Sequence, residues 1–188
     1  MSVAPRARTV LALVCALAVA ALGIVALRRP TVPGGRAPAA GAATVVRVVD
    51  GDTVVVEVGG AEEPVRLIGI DTPESVARDR PNECFGAEAS ARLESLLPVG
   101  TAVRLTRDVE PRDVYDRLLA YVQRTSDGLF VNAAQVADGF AEAKDYPPNT
   151  TYRGDFERAE RAAREAGLGL WSACGGPDVA LAPGVPAG

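Results

Sequence analysis

The stretch "VVRVVDGDTVVVEV", Val45 to Val58, decides the fold. Two β-branched runs flank Asp50-Gly51, a strong turn signal because a tight hairpin needs positive φ and glycine adopts it without steric cost. The reading is a hairpin between two buried strands. It accounts for Asp50 and Gly51 but not for Asp52. That carboxylate opens the returning strand, where acids are disfavoured and an unpaired buried charge is costly. Asp52 therefore requires a partner.

A third β-branched run, Val65 to Ile70, completes a meander and delivers Asp71, Thr72, Pro73 and Glu74 at its end. Pro73 stops the strand, and Asp-Thr-Pro-Glu also suits a plain turn or helix entry. From Gly86 to Leu97 the period changes: Ala89, Leu93, Leu96 and Leu97 recur at helical spacing before Pro98 and Gly100. "TAVRLTRD" and "RLLAYVQR" supply two more strands, and "DGLFVNAAQVADGF" a short helix ended by Gly139. Tyr152, Phe156, Ala159, Ala163 and Ala166 mark one face of a last helix closed by Gly167. The order βββαββαα predicts an α+β fold, a five-stranded OB-fold Greek-key barrel with three helices. Such a barrel closes its sheet and leaves a groove for oligonucleotides.

With 188 residues and 48% hydrophobic content, the chain can bury one core plus appendages. Residues 9–27 form an uncharged apolar run between arginines at 6, 8, 28 and 29, so residues 1–29 read as a signal peptide or signal anchor. The small-x-small triplet Ala37-Pro38-Ala39 lies far downstream of that run, which favours a retained anchor. Residues 30–43, rich in Pro, Gly and Ala, read as a flexible linker. Residues 44–174 read as the folded domain and 175–188 as a disordered tail. The expected location is extracytoplasmic, membrane-anchored or secreted.

Cys15 sits in the apolar run, leaving Cys84 and Cys174 either as one disulfide, in keeping with export, or as two unrelated thiols. With no histidine and so few cysteines, the usual zinc and copper sites are excluded, and any metal should be oxygen-bound. The first 43 residues hold five arginines and no acid. Removing those five from the 20 basic residues leaves 15 against 24 acidic ones, a net charge of −9 on the remainder. An acidic body is a poor general glue for nucleic acid or anionic membrane. A polyanionic substrate would require positive charge concentrated in the site.

Two neighbouring strands that both end in acids can converge at one corner of a barrel, and carboxylates with main-chain carbonyls suit Ca²⁺ or Mg²⁺. Glu74 is then placed to act on water. Arg66, inside strand three, and Arg117, at the start of an apolar strand, either pair with nearby carboxylates or face water, or together clamp phosphate. A cation that polarises phosphate, a carboxylate that takes a proton and guanidiniums that stabilise charge make metal-assisted phosphodiester hydrolysis.

In order and spacing, "VVDGDTVVV", "VRLIGIDTPE", "FGAEAS", "YDRLLAYV" and "GLGLWS" resemble the staphylococcal nuclease (thermonuclease) family over about Val45 to Trp171. The resemblance implies an OB-type barrel and a Ca²⁺-dependent nuclease that cleaves DNA and RNA to leave 3′-phosphate ends. By position, Asp52, Asp71 and the carbonyl of Thr72 match calcium ligands, and Glu74 matches the general base. Arg66 and Arg117 match the phosphate-binding arginines, and Tyr115 and Tyr146 match positions near bound nucleotide. Three departures bear on substrate binding: Val114 replaces a basic residue, Asp116 a glycine and Lys144 a tyrosine. The expected partner is DNA or RNA, single strands favoured, met by a monomer that touches membrane only through an uncleaved N-terminal segment. The competing reading is a non-catalytic extracellular oligonucleotide-binding module.

Overall fold

The computed structural model describes residues 40–75 and 82–181; the expected signal or anchor segment and residues 30–39 of the expected linker lie outside them. Among the described residues no helix is long and apolar enough to cross a membrane. Strand β1, Ala40–Val48, and strand β2, Thr53–Val58, form the antiparallel hairpin, with Val48 opposite Val54 and Thr44 opposite Glu57. Val49 N donates to Thr53 O at 2.8 Å, and Asp52 N donates to Asp50 Oδ1 at 3.1 Å.

The hairpin stands where expected, but its glycine is needed for a different reason. Gly51 is not among the residues of positive φ. Instead, a Cβ at this position would lie 2.6 Å from Thr72 Oγ1 and 2.9 Å from the Ala89 Cβ. Close approach, not turn geometry, excludes a side chain.

Strand β3, Ala61–Leu67, pairs antiparallel with β2. The run expected to continue to Ile70 breaks at Gly69, whose φ of 81° turns the chain. A Cβ on Gly69 would meet the Phe156 ring at 2.4 Å. Ile70–Asp71 consequently forms a separate short strand, β4. Helix α1, Gly86–Leu96, then buries Ala89, Leu93 and Leu96. Strands β5, Ala102–Thr106, and β6, Leu118–Arg124, follow. The remaining elements are α2, Val131–Ala137; β7, Glu142–Ala143; α3, Arg153–Glu165; and α4, Leu170–Ala173. The helices described thus number four, not three. The extra one, α4, is a single turn, too short for a helical period to show in sequence.

Strands β1-β2-β3-β6-β5 close into a barrel, and β4 pairs with β7 beside it. Every barrel pair is antiparallel except β3–β6, where Val65 stands opposite Leu118. A parallel pair needs a crossover, which α1 and β5 supply. This is the expected OB-type architecture. Val54, Val56, Val65, Leu67 and Val103 are fully excluded from solvent in the core, and Leu93 from α1, Val131 from α2 and Phe156 from α3 pack against it.

Main-chain pairing extends past both ends of the expected domain. Strand β1 begins at Ala40 rather than Thr44, because Ala40–Thr44 pair with Thr106–Ala102 and complete the barrel. The pairing uses main-chain groups, so small residues that look like linker in composition serve as strand. At the other end, residues 179–181 of the expected tail pair back on the domain. Cys84 N donates to Val179 O at 2.7 Å, and Leu181 N donates to Asn82 O at 2.9 Å.

Cys84 and Cys174 form a disulfide across 90 residues, with Cα atoms 6.0 Å apart. Replacing both with serine is expected to lower the unfolding free energy by about 4–5 kcal/mol, the chain-entropy value for so long a loop. The urea midpoint of the double variant, compared with that of the oxidised protein, checks this; equal midpoints would refute it.

Candidate active site

A cleft of about 620 Å³ opens between the β1–β2 turn, the residues after β4 and the loop before β6. It is lined by Asp52, Arg66, Asp71, Glu74, Tyr115, Arg117 and Tyr146, seven of the residues singled out in sequence. Thr72 is buried behind them, and its N–H and Oγ1 donate to Asp52 Oδ2 at 3.2 and 3.1 Å. Cys84 and Cys174 do not line this cleft.

Asp52 finds its partner in Arg66. Arg66 Nη1 stands 2.7 Å from Asp52 Oδ2 and Nη2 stands 2.7 Å from Asp71 Oδ1, so one guanidinium spans both acids. Nη1 also donates to Leu67 O at 3.0 Å and Nη2 to the Tyr146 hydroxyl at 3.1 Å. Burial pushes the Asp52 carboxyl up to about 7; Arg66 opposes the rise, while Asp50 and Asp71 add to it. Burial works against the Arg66 charge, but Asp52 and the acids around it outweigh burial and raise its pKa further. Arg66 therefore stays charged among a surplus of carboxylates. Lys144, on the position where the family pattern has tyrosine, adds a second cation 3.6 Å from Asp71 Oδ2.

Arg117 is held differently. Its Nε donates to Asp113 Oδ2 at 2.7 Å and its N–H to Asp113 Oδ1 at 2.9 Å, while the Tyr115 ring lies 5.5 Å from the guanidinium. Burial would raise Asp113, but the Arg117 hydrogen bonds prevail and hold its carboxyl below the ordinary range. The bond through Nε fixes the guanidinium's direction without using its Nη groups. Asp116 takes φ 65°, the left-handed region where glycine carries no steric penalty. Val114 and Tyr115 stand out at the rim, 93% and 78% exposed.

Glu74 is half-buried, and its N–H donates to Glu83 Oε2 at 2.9 Å. The sequence reading did not single out Glu83, Asp113 or Gln135. Gln135 is fully buried on α2 and donates through Nε2 to Gly51 O at 2.7 Å, tying the helix to the turn that carries Asp52. Asn132, one turn earlier, donates to Ile68 O and accepts from Val122 N, both at 2.9 Å. The available signal was two amides on a short helix otherwise made of Val and Ala. Glu83 and Asp113 gave none, being acids in polar loops.

Among the described residues no three carboxylate, thiolate or imidazole side chains converge on one point as a ready metal site. The donors on offer are the carboxylates of Asp52 and Asp71 with main-chain oxygens such as that of Thr72. All are hard oxygen donors in a corner of excess negative charge, and this set fits a hard divalent cation such as Ca²⁺.

Because Gly51 touches Thr72, Gly51→Ala is a direct probe of this corner. It is expected to destabilise the fold by about 1–3 kcal/mol through overpacking, measured by thermal unfolding.

A closed OB-type barrel whose cleft sets two arginines among carboxylates defines a class of protein suited to engaging phosphate. Within that class the chain belongs to the staphylococcal nuclease homologue family, whose model matches residues 64–173. It is 43% identical to the thermonuclease of Staphylococcus intermedius over 127 residues, 68% of this chain and 74% of that one. The thermonuclease of Staphylococcus hyicus is 38% identical over 128 residues, again 68% of this chain and 74% of its own. The endonuclease YncB of Bacillus subtilis (strain 168) is 37% identical over 136 residues, 70% of this chain and 62% of its own.

Proposed function

We propose that this protein is an exported nuclease that hydrolyses phosphodiester bonds of DNA and RNA with Ca²⁺, favours single strands and leaves 3′-phosphate ends. The observation that carries the reading is the meeting of Glu74, Arg66 and Arg117 with Asp52 and Asp71 in one cleft. The thermonuclease relatives support the nuclease part of this reading.

Asp52, Asp71 and the Thr72 carbonyl would hold Ca²⁺, which when bound polarises a phosphate oxygen and offsets charge developing on it. Glu74 accepts a proton from the attacking water through its carboxylate. Arg117, aimed by Asp113, presents its Nη fork to the phosphate oxygens, and Arg66 contributes charge from below. Tyr115, exposed beside Arg117, offers a ring on which a base stacks, and such stacking tolerates any sequence. Acids outnumber arginines in the cleft as well, so attraction for phosphate would rest on the bound cation together with Arg66 and Arg117, which a flexible single strand can reach.

The test is cleavage of single-stranded DNA by the full chain with Ca²⁺, with Mg²⁺ and with excess EDTA, followed by end-group analysis. Cleavage with Ca²⁺ that EDTA abolishes and that yields 3′-phosphates is expected. Tight binding without turnover by the calcium-loaded protein would favour the binding module instead.

A further inference from the structure

We propose that Glu83 is a positioning residue for the reaction, clamping Glu74 through its main chain, and that the disulfide and residues 179–181 hold the clamp in place. This rests on the reading of Glu74 as the proton acceptor. Glu74 N–H donates to Glu83 Oε2 at 2.9 Å, and Glu83 N–H donates back to Glu74 O at 2.8 Å. Both main-chain polar groups of Glu74 therefore end on one residue, nine positions later in sequence and itself only 7% exposed.

The clamp is built into the start of α1. Gly86 N–H donates to Glu83 O at 3.2 Å, and a Cβ on Gly86 would lie 2.6 Å from Glu74 O. No side chain fits between helix and Glu74. From the opposite side, Glu83 bridges to Ala180, with Cys84 N–H on Val179 O and Leu181 N–H on Asn82 O flanking it. The Cys84–Cys174 bond fastens the chain that leads into this strap. Glu83 thus stands where the C-terminal strap and the chain carrying Glu74 meet.

The chemistry gives the clamp a purpose. A general base must stand within hydrogen-bond reach of the proton it takes, and a misplacement of about 1 Å can cost about 10²-fold in rate. Glu74 follows Pro73 at the edge of a loop, where main chain is ordinarily less fixed than in a strand. A charged acceptor on its N–H is the stronger kind of tether.

The experiment compares kcat, KM and thermal unfolding of full-length Glu83→Ala and Glu83→Gln, beside a chain ended after Gly175. Glu83→Ala is expected to lower kcat about 10- to 100-fold, with KM little changed, below its unfolding temperature. Glu83→Gln keeps an oxygen for the Glu74 N–H and should restore most of that loss. The shortened chain retains Glu83 and the disulfide but lacks the strap, and its kcat should fall part of the way. Loss of stability in Glu83→Ala with unchanged kcat would overturn the proposal. If Glu83→Ala does not fold, the shortened chain decides, and unchanged kcat there overturns the role of the strap. Hydrogen exchange at the Glu74 amide reads the clamp without turnover: it should accelerate in Glu83→Ala. An inactive wild-type chain with a protected amide would therefore refute the nuclease reading, whereas an active chain unaffected by these changes would refute the clamp.

Discussion

Glu74→Gln is expected to lower kcat by about 10²–10⁴-fold, the usual contribution of a positioned general base, while leaving substrate and Ca²⁺ affinity close to wild type. The change keeps size but replaces a basic carboxylate oxygen with an amide NH₂, leaving no group there basic enough to take the proton. Glu74 lines the cleft without being one of the proposed ion-holding residues, so the loss should fall on the chemical step. Single-turnover cleavage of single-stranded DNA at saturating Ca²⁺ measures it. A loss below about tenfold would assign the proton to another acceptor.

Arg66→Ala should damage both folding and turnover. The arginine side chain is 10% exposed and its partner Asp52 9%, so removing the guanidinium strands a buried carboxylate. Breaking one side of a buried pair costs about 3–5 kcal/mol, and a urea midpoint measured without Ca²⁺ should show it. Arg117→Ala provides the contrast. Its ion pair with Asp113 is more exposed, with the arginine side chain 30% accessible, and its loss should cost about 1 kcal/mol or less. Turnover should nevertheless fall about 10²–10³-fold, as when a donor to developing charge is removed. A stable but inactive Arg117→Ala beside a destabilised, inactive Arg66→Ala would separate two arginines that sequence reading treated as one clamp. Equal stability of the two variants would refute the distinction.

The barrel was legible because its first two strands are written largely in Val and Thr, its later ones in short apolar runs, and its main helices in spaced Leu, Ala and Phe. Asp52 was legible as an anomaly, an acid opening a valine strand. What stayed hidden has physical causes. Ala40–Ala43 pair through main-chain atoms, and alanine and glycine carry no strand signal. The strand breaks where Gly69 takes φ 81°, and that no side chain fits there depends on the Phe156 ring, far away in sequence. Gly51 was noticed but misjudged, since close contact with Thr72 and Ala89 is a tertiary fact that no local pattern contains. Gln135 and Glu83 act on main-chain groups of other segments, so their own neighbourhoods say nothing of their targets.

The start of β1 carries a consequence for release of the domain from anything upstream. Ala40 to Thr44 supply the full register with β5, from Thr106 back to Ala102. Proteolysis after Ala39 leaves that ladder whole. Proteolysis after Ala43 strips four of its partners, exposing β5 as an unpaired edge of the kind that recruits other chains. A few residues in the position of a cut therefore separate a closed barrel from one with an exposed edge.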